Sequence, residues 1–293
     1  MNGEAKLPAV VRSFFDEATN TVSYVLSDKG TGCCAIIDPV WDYDPNSGLT
    51  STASVDQMVD YIRMLGLTAE VILETHAHAD HLSASQYLQS QFDAPLAIGE
   101  HIVEVQAIFK EVFNFGADFP PDGSQFDRLL ADGDELSVGN LTLRALHTPG
   151  HTPACMSYVG DGFAFVGDTL FMPDYGTARV DFPGGDAATL YRSICRLFEL
   201  PDDTVLYLCH DYLPQGRCGY VWETTVGEER RSNIHVRDGI SEAEFVAMRV
   251  ARDRTLNMPA LLLPSVQANI RAGQLPPPED NGVSYLKIPI NTV

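Results

Sequence analysis

Basic residues are scarce in this chain: 19 Lys and Arg stand against 40 Asp and Glu among 293 residues, a formal charge of −21. So acidic a surface repels phosphate backbones and anionic lipid, which argues against nucleic-acid and membrane partners. An anionic substrate would need a local basic pocket. No uninterrupted apolar run reaches the roughly 20 residues that span a bilayer. The opening stretch, MNGEAKLPAVVRSFFDEATN, lacks a basic end followed by a long apolar segment, so no secretory signal is expected. The six cysteines (Cys33, Cys34, Cys155, Cys195, Cys209 and Cys218) show no repeated Cys-x-x-Cys spacing and read as reduced thiols. A cytoplasmic location is the matching expectation. No G-x-x-x-x-G-K-[ST] loop occurs, so a nucleotide cofactor has no support.

What is present is organised in blocks. VRSFFD, TVSYVLSD and CCAIIDPV, within residues 11–40, read as three short strands. Residues 54–65 carry Val55, Met58, Val59, Ile62 and Leu65 at helical spacing, with Ser54 as the expected N-cap and Gly66 as the stop. AEVILETH reads as a buried strand. A helix over 83–91, a strand at APLAIG and a helix over 101–114 come next. DELSVGN, LTLRALH, ACMSYVG and GFAFVGD read as further strands, then a helix over 186–198 and the strand TVLYLCH. Two sheets packed together with helices outside is the expected architecture. Beyond His210 the pattern changes: Ser241 and Glu244 have capping-box spacing, and the Pro-rich tail is expected to wrap the surface.

Histidine is sparse too, 8 in all, yet three fall within six residues of ILETHAHADHLSASQYL. His76 and His78 are expected at a strand end, on one side of the backbone. Asp80 and His81 follow where the chain turns back. Imidazoles mixed with carboxylate suit zinc, iron or manganese rather than calcium. Further donors are expected near strand ends: His151 in TPGHTPAC, Asp168 in AFVGDTLF and His210 in LYLCHDY. One strand-end histidine would read as structural, but this set reads as an open metal site, because structural zinc usually closes on four ligands. His101, His147 and His235 stand alone and read as non-ligands, and Cys155 and Cys209 read as small buried hydrophobes.

THAHADH, TPGHT, GDTLF and CHDY, in this order, resemble the metallo-β-lactamase fold superfamily, most nearly its glyoxalase II and persulfide dioxygenase branch. The longer stretches HADHLSAS, GDTLFMPDYGTARVDFPGG, CHDYLPQGR and WETTVGEERRSNIHVRDG are similar to bacterial persulfide dioxygenases. The resemblance implies an α/β, four-layer αββα sandwich over residues 1–212; the change of pattern beyond it makes 213–293 an expected C-terminal extension packed on the core as a helical and irregular cap. The resemblance also implies one Fe(II) per chain on His76, His151 and Asp168, with His78, Asp80, His81 and His210 around it, and oxidation of glutathione persulfide by O2 to sulfite and glutathione. Related hydrolases fill all seven positions with two metals, such as zinc, so the alternative is a glyoxalase II-like thioesterase or another hydrolase of this fold. A homodimer is a further expectation from the resemblance.

Glutathione carries two carboxylates, for which arginine is the natural receptor. Arg179 and Tyr175, shortly after Asp168, and Tyr212 and Arg217, beyond His210, are the substrate-binding candidates.

Overall fold

A computed structural model describes residues 9–291; the first eight residues of the N-terminal stretch read above lie outside the described residues. The first half forms a mixed sheet of β1 (Ala9–Asp16), β2 (Thr21–Asp28), β3 (Cys33–Ile37), β6 (Thr68–Leu73), β8 (Leu96–Gly99) and β9 (Arg128–Leu130), in that spatial order. Its β3–β6, β6–β8 and β8–β9 pairs are parallel. Such pairs need crossovers, which here contain α1 (Ala53–Leu65), α2 (Ser85–Phe92) and α3 (Ile102–Val112). A small sheet of β4 (Val40–Asp44), β5 (Leu49–Ser51) and β7 (Leu82–Ser83) lies beside it.

The second sheet runs β10 (Glu135–Val138), β11 (Leu141–His147), β12 (Met156–Gly160), β13 (Phe163–Phe165), β14 (Val205–Tyr207) and β15 (Glu223–Thr225), with α4 (Ala187–Leu197) in the parallel β13–β14 crossover. Three further helices follow: α5 (Val226–Ser232), α6 (Glu242–Asp253) and α7 (Leu262–Asn269).

Side-chain alternation along the strands sorts the core into layers. In β3, Cys34 and Ile36 face Val55, Met58, Val59 and Ile62 of α1 and Val105 and Phe109 of α3. Their neighbours Ala35 and Ile37 face the second sheet, meeting Leu143, Tyr158 and Phe165. On the far side, Leu146, Val159 and Ala164 pack on Leu190, Ile194 and Leu197 of α4 and Phe245 of α6. The order is therefore helix, sheet, sheet, helix, the αββα sandwich expected from the sequence.

The differences have local causes. Ser54 does not cap α1; its hydroxyl bonds Asp42 and Asp16, and Thr52 takes the N-cap position without a side-chain bond to a backbone amide, its hydroxyl donating to Asp56 instead. Gly66 ends the helix in the left-handed conformation, as expected. The boundary drawn at 212 cuts through the second sheet, because β15 pairs with β14 beyond it. The Ser241–Glu244 capping box forms. Among the described residues, no helix is long and apolar enough to cross a membrane.

Within α5, Glu229 is buried, with Oε2 accepting from Asn233 Nδ2 at 2.6 Å. Burial, only partly offset by Asn233, pushes its carboxyl up to about 8. Because the folded value lies above the unfolded one, the stability this group contributes is complete below pH ~4.5 and is lost as pH rises to about 8. Denaturant titrations of Glu229→Gln should therefore show a flatter stability profile across that window, with the variant several kcal/mol more stable relative to wild type at pH 8 than at pH 5.

Candidate metal centre

Strand ends from both sheets converge on one point. β6 stops at Leu73, so the cluster lies in the loop beyond the strand rather than on its end, as the sequence had suggested. This loop is tied to the second sheet by Met156 N donating to Thr75 O at 2.8 Å and Tyr158 Oη donating to Glu74 O at 2.7 Å. His151 lies in the β11–β12 connection. Gly150 before it has φ +135°, and a Cβ there would stand 2.3 Å from the Leu190 nitrogen, so the turn requires glycine. Asp168 occupies a 3₁₀ turn after β13, following Gly167, whose φ is +50° and whose absent Cβ would strike Thr75. His210 follows β14 and bridges to Thr21 at the start of β2.

The ring hydrogen bonds set which nitrogen points inward. Nδ1 of His151 faces Arg179 O at 2.8 Å, Nδ1 of His81 faces Leu82 O at 3.0 Å, and Nδ1 of His210 faces Asn20 O at 3.1 Å. A carbonyl only accepts, so these three nitrogens carry the proton and each Nε2 presents a lone pair. His76 Nδ1 lies 3.0 Å from Thr75 Oγ1, also leaving Nε2 inward. His78 is reversed: its Nε2 is held by Asp38 at 3.0 Å and Glu74 at 3.3 Å, and Nδ1 faces the site.

The inward atoms are left without partners. Nε2 of His76, His81 and His210, Nδ1 of His78, Oδ2 of Asp80 and Oδ1 of Asp168 are buried and make no hydrogen bond. His210 Nε2, a lone pair when the ring is neutral, stands 3.2 Å from both Asp80 Oδ2 and Asp168 Oδ1. Lone pairs turned on one another in a buried space repel unless a cation lies between them. His76, His151 and Asp168 bring their ligand atoms within 4.8 Å of one another, and so, as a second group, do His78, Asp80 and His81. The donors fit metal ions: imidazole and carboxylate, deprotonated and convergent.

Electrostatics favour the metal-binding forms of His76, His81 and Asp168. Burial, reinforced by His78, holds His76 well below the ordinary histidine value and brings His81 down to about 4. Burial opposes charge on Asp168 too, but His210, His76 and His151 outweigh it and keep the carboxylate ionised. For His210 and His78 burial opposes the proton, yet Asp80 in one case and Asp38 in the other outweigh it and raise the ring's pKa.

The site opens into a cavity of about 370 Å3 whose walls include Asp80, His151, Asp168, Tyr175, Arg179 and Tyr212. Tyr175 and Tyr212 stack at 4.9 Å. Arg179 reaches this wall, but its guanidinium grips Asp181 through both Nε and Nη2 and bonds Asn257 O at 2.7 Å. Arg217 does not line the cavity. It is bound by the buried Asp211 and by Asp174 at 3.1 Å, so the structure assigns it to bracing the loops, contrary to the substrate-binding role expected from its place after His210. His147 bonds Pro153 O and stacks on His101, and His235 accepts from Thr177 N; none of these three joins the site.

Sequence reasoning missed three supporting residues. Asp38 accepts from Thr75 N, Thr75 Oγ1 and His78. Glu74, the residue before the histidine motif, accepts from Ser83 and Ser85 and holds His78. Asn269 of α7 donates to His78 O and His81 O, both at 2.8 Å, and accepts from Ser83 N at 2.8 Å. Its position near the end of the chain gave no local signal. Replacing Asn269 by alanine orphans two carbonyls and an amide, so we expect a loss of about 2–4 kcal/mol by denaturant titration and about 10-fold or more weaker metal binding.

A double β-sandwich with helices on both faces, whose loops hold imidazoles and carboxylates at one end, defines a metal-dependent enzyme class. Residues 17–210 match the family described as the Metallo-beta-lactamase superfamily, and the chain belongs to it. It is 58% identical over 293 residues to a Burkholderia pseudomallei protein named as a metallo-hydrolase, covering 97% of this chain and 99% of that one. It is 50% identical to Glyoxylase B2 of Dictyostelium discoideum, covering 97% of each chain. It is 30% identical to the human mitochondrial persulfide dioxygenase ETHE1, over 92% of this chain and 91% of that one. Among solved structures, ETHE1 from Myxococcus xanthus superposes with a TM-score of 0.71 at 32% identity, covering 90% of this chain and all of the other.

Proposed function

We propose that the chain is a persulfide dioxygenase: it oxidises the terminal sulfur of glutathione persulfide with O2 and water, releasing sulfite and glutathione. The observation that carries this reading is the convergence of His76, His151 and Asp168, two imidazoles and one carboxylate, beside a cavity of small-molecule size. These three residues would hold a ferrous iron, which when bound supplies the redox chemistry with O2. The likeness to proteins named persulfide dioxygenase and ETHE1 over most of the chain supports it.

The chain's own groups do the positioning. Arg179 O and Thr75 fix the rings of His151 and His76 so that Nε2 faces inward. His210 Nε2 sits between Asp80 Oδ2 and the second oxygen of Asp168, 3.2 Å from each. Phe171, Tyr175 and Tyr212 pack edge-on and stacked into an aromatic wall that shields the reacting sulfur from bulk water.

A binuclear thioesterase is the second reading. The unpartnered donors of Asp80, His81 and His210 favour it, as do relatives named metallo-hydrolase and Glyoxylase B2. The test is oxygen uptake with glutathione persulfide, set beside hydrolysis of S-lactoylglutathione, on anaerobically prepared iron-loaded and on zinc-loaded protein. Oxygen uptake confined to the iron form supports the dioxygenase; thioester hydrolysis without oxygen uptake supports the hydrolase.

A further inference from the structure

Three arginines line the metal-side cavity, and two are already engaged. Arg179 is neutralised by Asp181. Arg249, 1% exposed, is bound to Asp253 and to Thr177 O. The third, Arg252, lies one helical turn further along α6 and is exposed. Among the described residues, no hydrogen bond or ion pair engages its guanidinium. Arg252 places a positive charge on the wall of this cavity in a chain of charge −21.

The cavity thereby has two poles. Asp80, His151 and Asp168 stand at the metal end, while Arg252, with Leu256 and Asn257 close by in the chain, forms part of its wall on the α6 side. A substrate whose sulfur must reach the metal and which carries a carboxylate at a distance fits that polarity. We propose that Arg252 is a specificity-determining residue that receives a carboxylate of the glutathionyl substrate. This inference rests on the glutathione persulfide reading and assigns to Arg252 the receptor role that Arg179, held by Asp181, fills less well. A guanidinium forms paired, charge-assisted bonds with a carboxylate, and lysine reproduces the charge without the fork.

The experiment compares wild type, Arg252→Ala and Arg252→Lys on iron-loaded full-length protein, in turnover of glutathione persulfide and in calorimetric binding of reduced glutathione. Two analogues accompany them: the glycine monoethyl ester of glutathione, and cysteinylglycine, each lacking one carboxylate. Expected is an increase of about 10- to 100-fold in KM and in the glutathione Kd for Arg252→Ala, with kcat changed less than about threefold and Arg252→Lys intermediate. One analogue should bind wild type and Arg252→Ala equally, because the partner of the arginine is already gone. Unchanged KM and Kd overturn the proposal, as does equal weakening of glutathione and both analogues, which marks a structural effect. Wild type that binds glutathione but consumes no oxygen refutes the dioxygenase reading alone, since the binding comparison still decides Arg252. Wild type that binds no glutathione refutes both.

Discussion

Replacing His151 by alanine removes bound metal and lowers turnover about 1000-fold or more, a barrier increase of about 4 kcal/mol. The size follows from its position: His151 Nε2 lies 3.6 Å from Asp168 Oδ2, and with His76 these groups form one three-ligand set. Deleting one imidazole leaves two ligands, too few for firm retention. His147, four residues earlier, provides the control. Its Nε2 is occupied by Pro153 O, and its ring stacks on His101 at 4.3 Å, away from the metal ligands. Metal analysis and turnover should therefore separate the pair, with His147→Ala keeping its metal. Loss of metal from both variants would show that the 148–155 turn, rather than the His151 ring, was the sensitive element.

Replacing Asp38 by alanine is expected to produce the largest loss of stability, about 3–5 kcal/mol, and a melting temperature lower by about 10 °C. Asp38 is 2% exposed, and its carboxylate receives Thr75 N at 2.7 Å, Thr75 Oγ1 at 2.9 Å and His78 Nε2 at 3.0 Å. The alanine variant leaves the buried Thr75 amide without its partner and the buried His78 ring with Glu74 alone, and it must also hold φ near +49°, where aspartate is better tolerated. Because His78 and Thr75 flank His76, metal affinity should fall with stability. Asp38→Asn, which keeps the shape and the acceptor toward Thr75, should recover part of both. Calorimetry on the metal-free proteins measures the stability component by itself. A melting temperature within about 2 °C of wild type would remove Asp38 from this role.

The framework was legible because its signals are periodic and local. The apolar run CCAII marks a strand and the helical spacing in 54–65 a helix face, and both held in the packing of Ile36 and Ile62. The seven donors were legible because each lies close to a strand end, and the structure gathers them as the motif order implied. What escaped was tertiary. Asp38 and Glu74 look like ordinary turn and strand-end acids until His78 is seen between them. Asn269 acts across more than 180 positions, and nothing near it in the chain marks it. Arg217 was misassigned because nearness in sequence to His210 was taken for nearness to the cavity, whereas Asp211 and Asp174 turn its side chain elsewhere. Arg252 was overlooked for the converse reason: α6 is distant in sequence from every metal ligand, and only the fold brings it to the cavity wall.

Metal stoichiometry in protein loaded anaerobically with ferrous iron, measured for wild type, His151→Ala and His81→Ala, bears most directly on the claim that His76, His151 and Asp168 form the working centre. One iron per chain in wild type, its loss from His151→Ala and its retention by His81→Ala are the predicted results. Two tightly held metals per wild-type chain, with His81→Ala as inactive and as metal-poor as His151→Ala, would contradict it.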